Sequence, residues 1–136
     1  MSKLIRKIIT AAKAPKPVGP YNQAVQVGNT IYISGVLGID VNTSKLVAGG
    51  APAEANQALK NLGEILAEAD SSYKNVVKTT IFLADIGDFS AVNETYKQYF
   101  QEPYPARSTF QVGKLPMEAR VEIEVIAVSG ELVDRV

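Results

Sequence analysis

Two segments carry residues whose types suit chemistry. Pro105-Ala106-Arg107-Ser108-Thr109-Phe110 puts an arginine at the start of a β-like run, and Val121-Glu122-Ile123-Glu124 puts two acids inside another, with Glu122 fifteen positions after Arg107. A guanidinium is a planar fork of donors matched to a carboxylate ligand. A glutamate can hold and deprotonate a water. The chain has no histidine and no cysteine. Serine–histidine triads, cysteine nucleophiles, thiolate metal sites and disulfides are therefore closed to it. An arginine and a carboxylate are the tools that remain.

Residues two apart in a strand share a face. Glu122 and Glu124 should thus point one way, and Val121, Ile123 and Val125 the other. Acids this close raise one carboxyl's pKa unless a cation lies nearby. Other positions have weaker marks. Tyr21 follows Gly19-Pro20 in a rigid proline loop, Ser34-Gly35 closes a strand, and Asn93 sits beside the apolar stripe of a helix. On spacing alone each has a stronger structural reading: a surface ion pair for Arg107, a solvent-facing pair for the glutamates, a core cover for Tyr21, a strand-ending turn for Ser34-Gly35 and a helix-to-loop hydrogen bond for Asn93.

The elements that must position these residues follow from periodicity. Leu4 to Thr10 reads as a strand. Ala24 to Val27 and Thr30 to Ser34 flank the turn signal Gly28-Asn29 and predict a hairpin. Val36 to Pro52 reads as loop. Ala53 to Ala69 is the clearest helix, with an apolar stripe at three- and four-residue steps and Glu54 in its first turn. Val76 to Leu83 is a β-branched strand, with Val77, Ile81 and Leu83 on one face and Val76 and Phe82 on the other. A second helix is expected from the N-cap Asp88 to Phe100, with the stripe Phe89, Val92, Tyr96, Tyr99 and Phe100. Ala106 to Val112 and Arg120 to Val128 complete the set. The order β-β-β-α-β-α-β-β describes one α+β domain over residues 1–136: a mixed sheet with two helices on one face. Nothing in the chain is left to cover the other face, which implies self-association through the sheet.

Composition sets outer limits. A hydrophobic fraction of 46% with 21% charged residues fits a soluble globular protein. Basic and acidic residues are equal at 14 each, which argues against nucleic acid as the main partner. No apolar run reaches a membrane span. Met1 to Pro17 holds five lysines and arginines and no acid. It reads as a first strand with solvated lysines, with an organellar targeting segment as the other reading. No phosphate-cradling glycine loop and no acidic cluster with metal spacing is found.

The chain resembles the Rid (YjgF) family of enamine/imine deaminases, in its animal-like RidA branch. The resemblance rests on Gly19-Pro20-Tyr21-Asn22-Gln23-Ala24, Ile33-Ser34-Gly35, Val77 to Leu83, Val92-Asn93-Glu94-Thr95-Tyr96, Pro105-Ala106-Arg107-Ser108 and Val121 to Glu124, and spans nearly the whole sequence. It implies a chorismate mutase-like fold and a barrel-like homotrimer with intersubunit clefts. It also implies hydrolysis of 2-imino acids to 2-keto acids and ammonia, without metal or organic cofactor, in the cytoplasm or, on the targeting reading, the mitochondrion. By the same resemblance Arg107 clamps the substrate carboxylate, and Glu122, kept ionised by that cation, activates water. Tyr21, Ser34, Gly35 and Asn93 line the pocket, and Thr109, where bacterial members often carry cysteine, contributes its main chain. Ribonuclease or translation-inhibitor activity, a chaperone-like role and a non-catalytic ligand-binding trimer are the competing functions.

Overall fold

The computed structural model describes residues 2–136; Met1, the first residue of the basic opening segment, lies outside them. A six-stranded sheet runs in the order β1 (Arg6–Ile9), β2 (Ala24–Val27), β3 (Thr30–Val36), β8 (Val121–Val128), β6 (Val76–Leu83) and β7 (Ala106–Gln111). All neighbours are antiparallel except β6 and β7, which are parallel. That parallel pair needs a crossover, and α2 (Phe89–Tyr96) lies in it. The long helix α1 (Gly50–Glu68) lies beside α2 and packs on β3 and β8.

The expected strands are all present, and Gly28 turns the first hairpin at φ 60°. Val36 to Pro52 is more structured than a loop: a two-stranded hairpin, β4 (Ile39–Asp40) with β5 (Lys45–Leu46), fills it. Strands of two residues are too short to show alternation. α1 begins three residues before Ala53, after Gly49 at φ 117°. Glu54 is therefore past the first turn and serves no dipole there. It is buried instead, and its Oε1 accepts from Arg120 N at 2.8 Å. α2 stops at Tyr96 rather than Phe100, and Asp88 makes no side-chain cap. The local cap belongs to Asp85, whose Oδ1 accepts from Gly87 N at 2.8 Å.

One sheet face is dry. Ile31, Ile33, Ile81, Leu83, Val121, Ile123, Val125 and Ala127 pack there against Ala55, Leu59, Leu62 and Leu66 of α1. The register of β6 against β8 shifts between Val76 and Lys78. That irregularity reverses the expected parity at the start of β6: Val76 is buried with Ile81 and Leu83, and Val77 is exposed. Among the described residues no helix lies over the opposite sheet face. Cross-strand partners Ile8, Val25, Tyr32 and Ile126 form one row on it, and Tyr32 and Phe110 stand about half exposed.

Candidate active site

The sheet phases decide which candidate residues meet. Thr79 pairs with Arg107, and Phe82 pairs with both Phe110 and Glu122. Thr79 is fully buried on the helix side. Arg107 and Thr109 therefore face the helices, while Glu122 and Glu124 face the open side. Within one chain the arginine and the glutamate lie on opposite faces of the same sheet and head two separate cavities.

The first cavity is built around Arg107. Its guanidinium carbon lies 4.9 Å from the ring centre of Tyr96 and 5.5 Å from that of Phe89, both on α2. Cation–π attraction at such distances holds the planar group in place while leaving its N–H edges free. Tyr96 is fixed in turn by a 2.9 Å hydrogen bond between its hydroxyl and Thr79 Oγ1. Burial pushes the Tyr96 phenol up, opposed by Thr79 and by the Arg107 charge, so the ring stays neutral under its cation. Arg107 forms no ion pair among the described residues. Asn93, Lys97, Tyr104 and Pro105 complete the lining. Thr109, two residues on and on the same face, carries a buried Oγ1 without a hydrogen-bond partner. A guanidinium seated on aromatic rings, with its N–H edges outside any ion pair among the described residues, is suited to a carboxylate.

The second cavity, about 180 Å³, contains Glu122 together with Tyr21, Ser34, Gly35, Pro116 and Met117. β3 shifts register against β8 between Ile33 and Val36, which puts Ser34 and Gly35 on an irregularity. Such bulges re-aim strands beside sites. Ser34 is tied back, donating from Oγ to Asn22 O at 2.7 Å and from N to Gln23 O at 3.0 Å. Gln23 anchors the proline loop: it accepts from Ala11 N at 2.6 Å and donates to Pro15 O at 2.9 Å. That loop delivers Tyr21, about half exposed, as a wall of the cavity. Burial, and then the charge of Glu124, raise the Glu122 carboxyl above its ordinary range. The expectation that Arg107 keeps it ionised is thus not met inside one chain, because the intervening sheet separates them.

The sequence thus placed Tyr21, Ser34, Gly35, Asn93, Arg107, Thr109 and Glu122 in one cleft, whereas within one chain Tyr21, Ser34, Gly35 and Glu122 line one cavity and Asn93 and Arg107 another. It missed Tyr96 and Phe89 as the seat of the arginine. Their helical spacing marked them as core, and only the phase of β7 against α2 reveals the second role. Pro116 and Met117 had no signal beyond a loop proline.

Comparison with known proteins places these features in context. A family model described as Endoribonuclease L-PSP matches residues 11–129. A Homo sapiens protein named 2-iminobutanoate/2-iminopropanoate deaminase is 57% identical over 97% of this chain and 96% of its own length. A Bos taurus protein of the same name is 60% identical over the same shares. The crystal structure of RidA from an Antarctic Psychrobacter superposes with a TM-score of 0.87 at 45% identity, covering 90% of this chain and 98% of that one.

Proposed function

The chain belongs to the Rid (YjgF) family, and on that footing we propose that it hydrolyses reactive 2-imino acids and their enamine tautomers to 2-keto acids and ammonia, at a site assembled between copies of the chain. The observation that carries the reading is the unpaired Arg107 guanidinium, seated on Tyr96 and Phe89 at a cavity mouth. A small anionic substrate is its natural partner. Glu122 lies across the sheet, so the two act on one molecule only when one copy's Arg107 cavity abuts another copy's Glu122 cavity. The apolar row on the open sheet face supports such packing. A closed ring of three copies would repeat that heterologous contact and bury every open face. No helix of the described residues is long and apolar enough to cross a membrane.

Chemically the task is light. The imine carbon is already electrophilic, so no covalent intermediate with the protein is needed. Arg107 grips the substrate carboxylate with parallel hydrogen bonds and fixes that carbon. Thr109, on the same face, offers its main chain to the same anion. Glu122 takes a proton from water as the water oxygen bonds to the carbon of the protonated imine, and the C=N pair moves to nitrogen. Glu122 then returns that proton to the amino nitrogen of the tetrahedral carbinolamine, the C–N bond breaks to release ammonia, and the proton that the hydroxyl loses as the carbonyl forms leaves with the ammonia as ammonium. General-base help of about 10²- to 10⁴-fold suffices for so reactive a substrate. Tyr21, Ser34, Gly35 and Asn93 shape the cleft.

The test couples an enzyme that releases 2-aminoacrylate to a keto-acid assay. Arg107→Ala and Glu122→Gln should each lose the accelerated turnover while keeping the far-ultraviolet circular dichroism of the parent. RNA cleavage is followed on the same preparations, because the family model's description names an endoribonuclease. Turnover retained by Arg107→Ala refutes the clamp. RNA cleavage lost in both variants alongside unaltered imine turnover refutes the deaminase assignment of the site.

A further inference from the structure

Thr79 is 0% exposed, so no substrate touches it, yet it carries a hydroxyl into the helix-side core. Its Oγ1 meets the Tyr96 hydroxyl at 2.9 Å, and neither hydroxyl has another partner among the described residues. Tyr96 is itself buried, at 5% exposed. Two buried hydroxyls that satisfy only each other return about as much as their desolvation costs, and an apolar pair of the same shape packs as well. Stability therefore does not account for this bond. What the bond controls is a ring. Tyr96 stacks on Phe100, with centroids 4.4 Å apart and planes 30° apart. Phe100 meets Tyr73 at 5.7 Å, nearly perpendicular, and the Tyr73 hydroxyl donates to Leu59 O of α1. Stacking fixes the tilt of the Tyr96 ring but lets it slide in its own plane, and the hydroxyl at its tip is the handle that stops the slide. The Arg107 guanidinium rests on that ring.

We propose that Thr79 is a positioning residue of the carboxylate clamp: through the Tyr96 hydroxyl it holds the ring under Arg107 and so sets the direction in which the guanidinium presents its paired N–H donors. The proposal rests on the reading that Arg107 binds the substrate carboxylate. A two-bond grip tolerates little misdirection, because both N–H groups must meet both oxygens at once. A ring free to slide lets the fork swing, and the carboxylate is then held by one bond or in several poses. The chain of contacts is short, from Thr79 to Tyr96 to Arg107, and Thr79 and Arg107 are also register partners on β6 and β7. One parallel strand pair thus carries both the clamp and the residue that orients it, with α2 supplying the ring between them. The carboxylate is gripped in ground state and transition state alike, so loss of the bond should fall on binding rather than on turnover.

The test is the affinity for 2-oxobutanoate, a 2-keto acid of the product class, by titration calorimetry, set beside kcat and KM for the imine that an amino-acid oxidase generates from 2-aminobutanoate. Thr79→Val keeps the shape and removes the hydroxyl; Tyr96→Phe keeps the ring. Each should weaken 2-oxobutanoate binding and raise KM about fivefold, the effect of one net hydrogen bond, with kcat within about twofold of the parent's. The double variant should lose no more affinity than either single change, because the same bond is lost in all three. It also leaves no hydroxyl unsatisfied and should unfold near the parent's denaturant midpoint, so its weakened binding does not come from unfolding. Thr79→Ser retains the hydroxyl and should bind as the parent does. Tyr96→Phe decides the matter should Thr79→Val not fold. Affinities within about twofold of the parent's in the folded single variants, losses that multiply in the double variant, or a Thr79→Ser protein as weak as Thr79→Val overturn the inference and leave the deaminase reading standing. A parent protein that neither binds 2-oxobutanoate nor turns over the imine overturns both.

Discussion

A Cβ on residue 35 would lie 2.7 Å from the carboxyl carbon of Glu122 and 2.8 Å from its Oε2. The seat of that carboxylate therefore exists because Gly35 has no side chain. Gly35→Ala meets the far end of a flexible side chain rather than backbone, so the fold should survive while the carboxylate is displaced. Keto-acid production should fall about 10²-fold, the loss that follows when a catalytic group is moved by about 1 Å. The melting temperature should stay close to the parent's. A variant with unimpaired kcat would show that Glu122 does not act from this seat.

Opposite placement of Arg107 and Glu122 makes a prediction about mixtures. Arg107→Ala chains retain Glu122, and Glu122→Gln chains retain Arg107. Each inactive alone, they should regain activity when unfolded together in equal amounts and refolded. Any site joining Arg107 of one copy to Glu122 of the next is intact with a chance of one half for each residue, so about a quarter of parental turnover is expected in a closed assembly of any size. A mixture as inactive as its components would place both residues' work within single chains, which the sheet forbids, or separate their work altogether.

How much of this was legible in the sequence depends on what local pattern encodes. Alternation placed Glu122 and Glu124 opposite Val121, Ile123 and Val125, and the structure agrees. The apolar steps from Ala55 to Leu66 gave α1 and its buried face, and the surplus of apolar residues over helices foretold an uncovered sheet face. Alternation fixes phase within a strand, however, and not between strands. That Arg107 and Glu122 point apart is set by the pairing of Thr79 with Arg107 and of Phe82 with Glu122, which no spacing along the chain records. The inverted parity at Val76 and Val77 has the same origin, since the irregularity belongs to the pairing with β8. The start of α1 was hidden because Gly49 and Gly50, both at positive φ, resemble loop residues until their dihedrals are seen.

Glu54 links helix and site. Its carboxylate leaves α1 to accept from Arg120 N, one residue before β8 begins, and Gly38 lies against its backbone, where a Cβ would come within 2.5 Å of Glu54 O. Glu54→Ala leaves the Arg120 amide without its acceptor and should cost about 1–3 kcal/mol by denaturant unfolding. Glu54→Gln keeps an acceptor oxygen at the same reach and should cost less than Glu54→Ala. Equal losses for the two variants would indicate that packing volume, not the hydrogen bond, ties the helix to the strand.

The acid limb of the pH–rate profile should identify the base. Burial first and Glu124 second raise the Glu122 carboxyl above its ordinary 4.5. In the window above 4.5 the unfolded chain has released this proton while the folded chain still holds it. Stability therefore declines as pH rises through that window, and replacing Glu122 by glutamine should raise the melting temperature at neutral pH relative to the parent. Activity runs the other way, because the base must be ionised: kcat/KM should fall as pH drops through a limb placed above that of an ordinary glutamate. Glu124→Gln removes the second cause of the shift and should move the limb to lower pH with the plateau rate retained. Glu124 shares a face with Glu122 one pleat along. A Glu124→Gln variant that instead loses the plateau would assign the water to that acid, and a limb unmoved by the change would show that the Glu124 charge does not reach its neighbour.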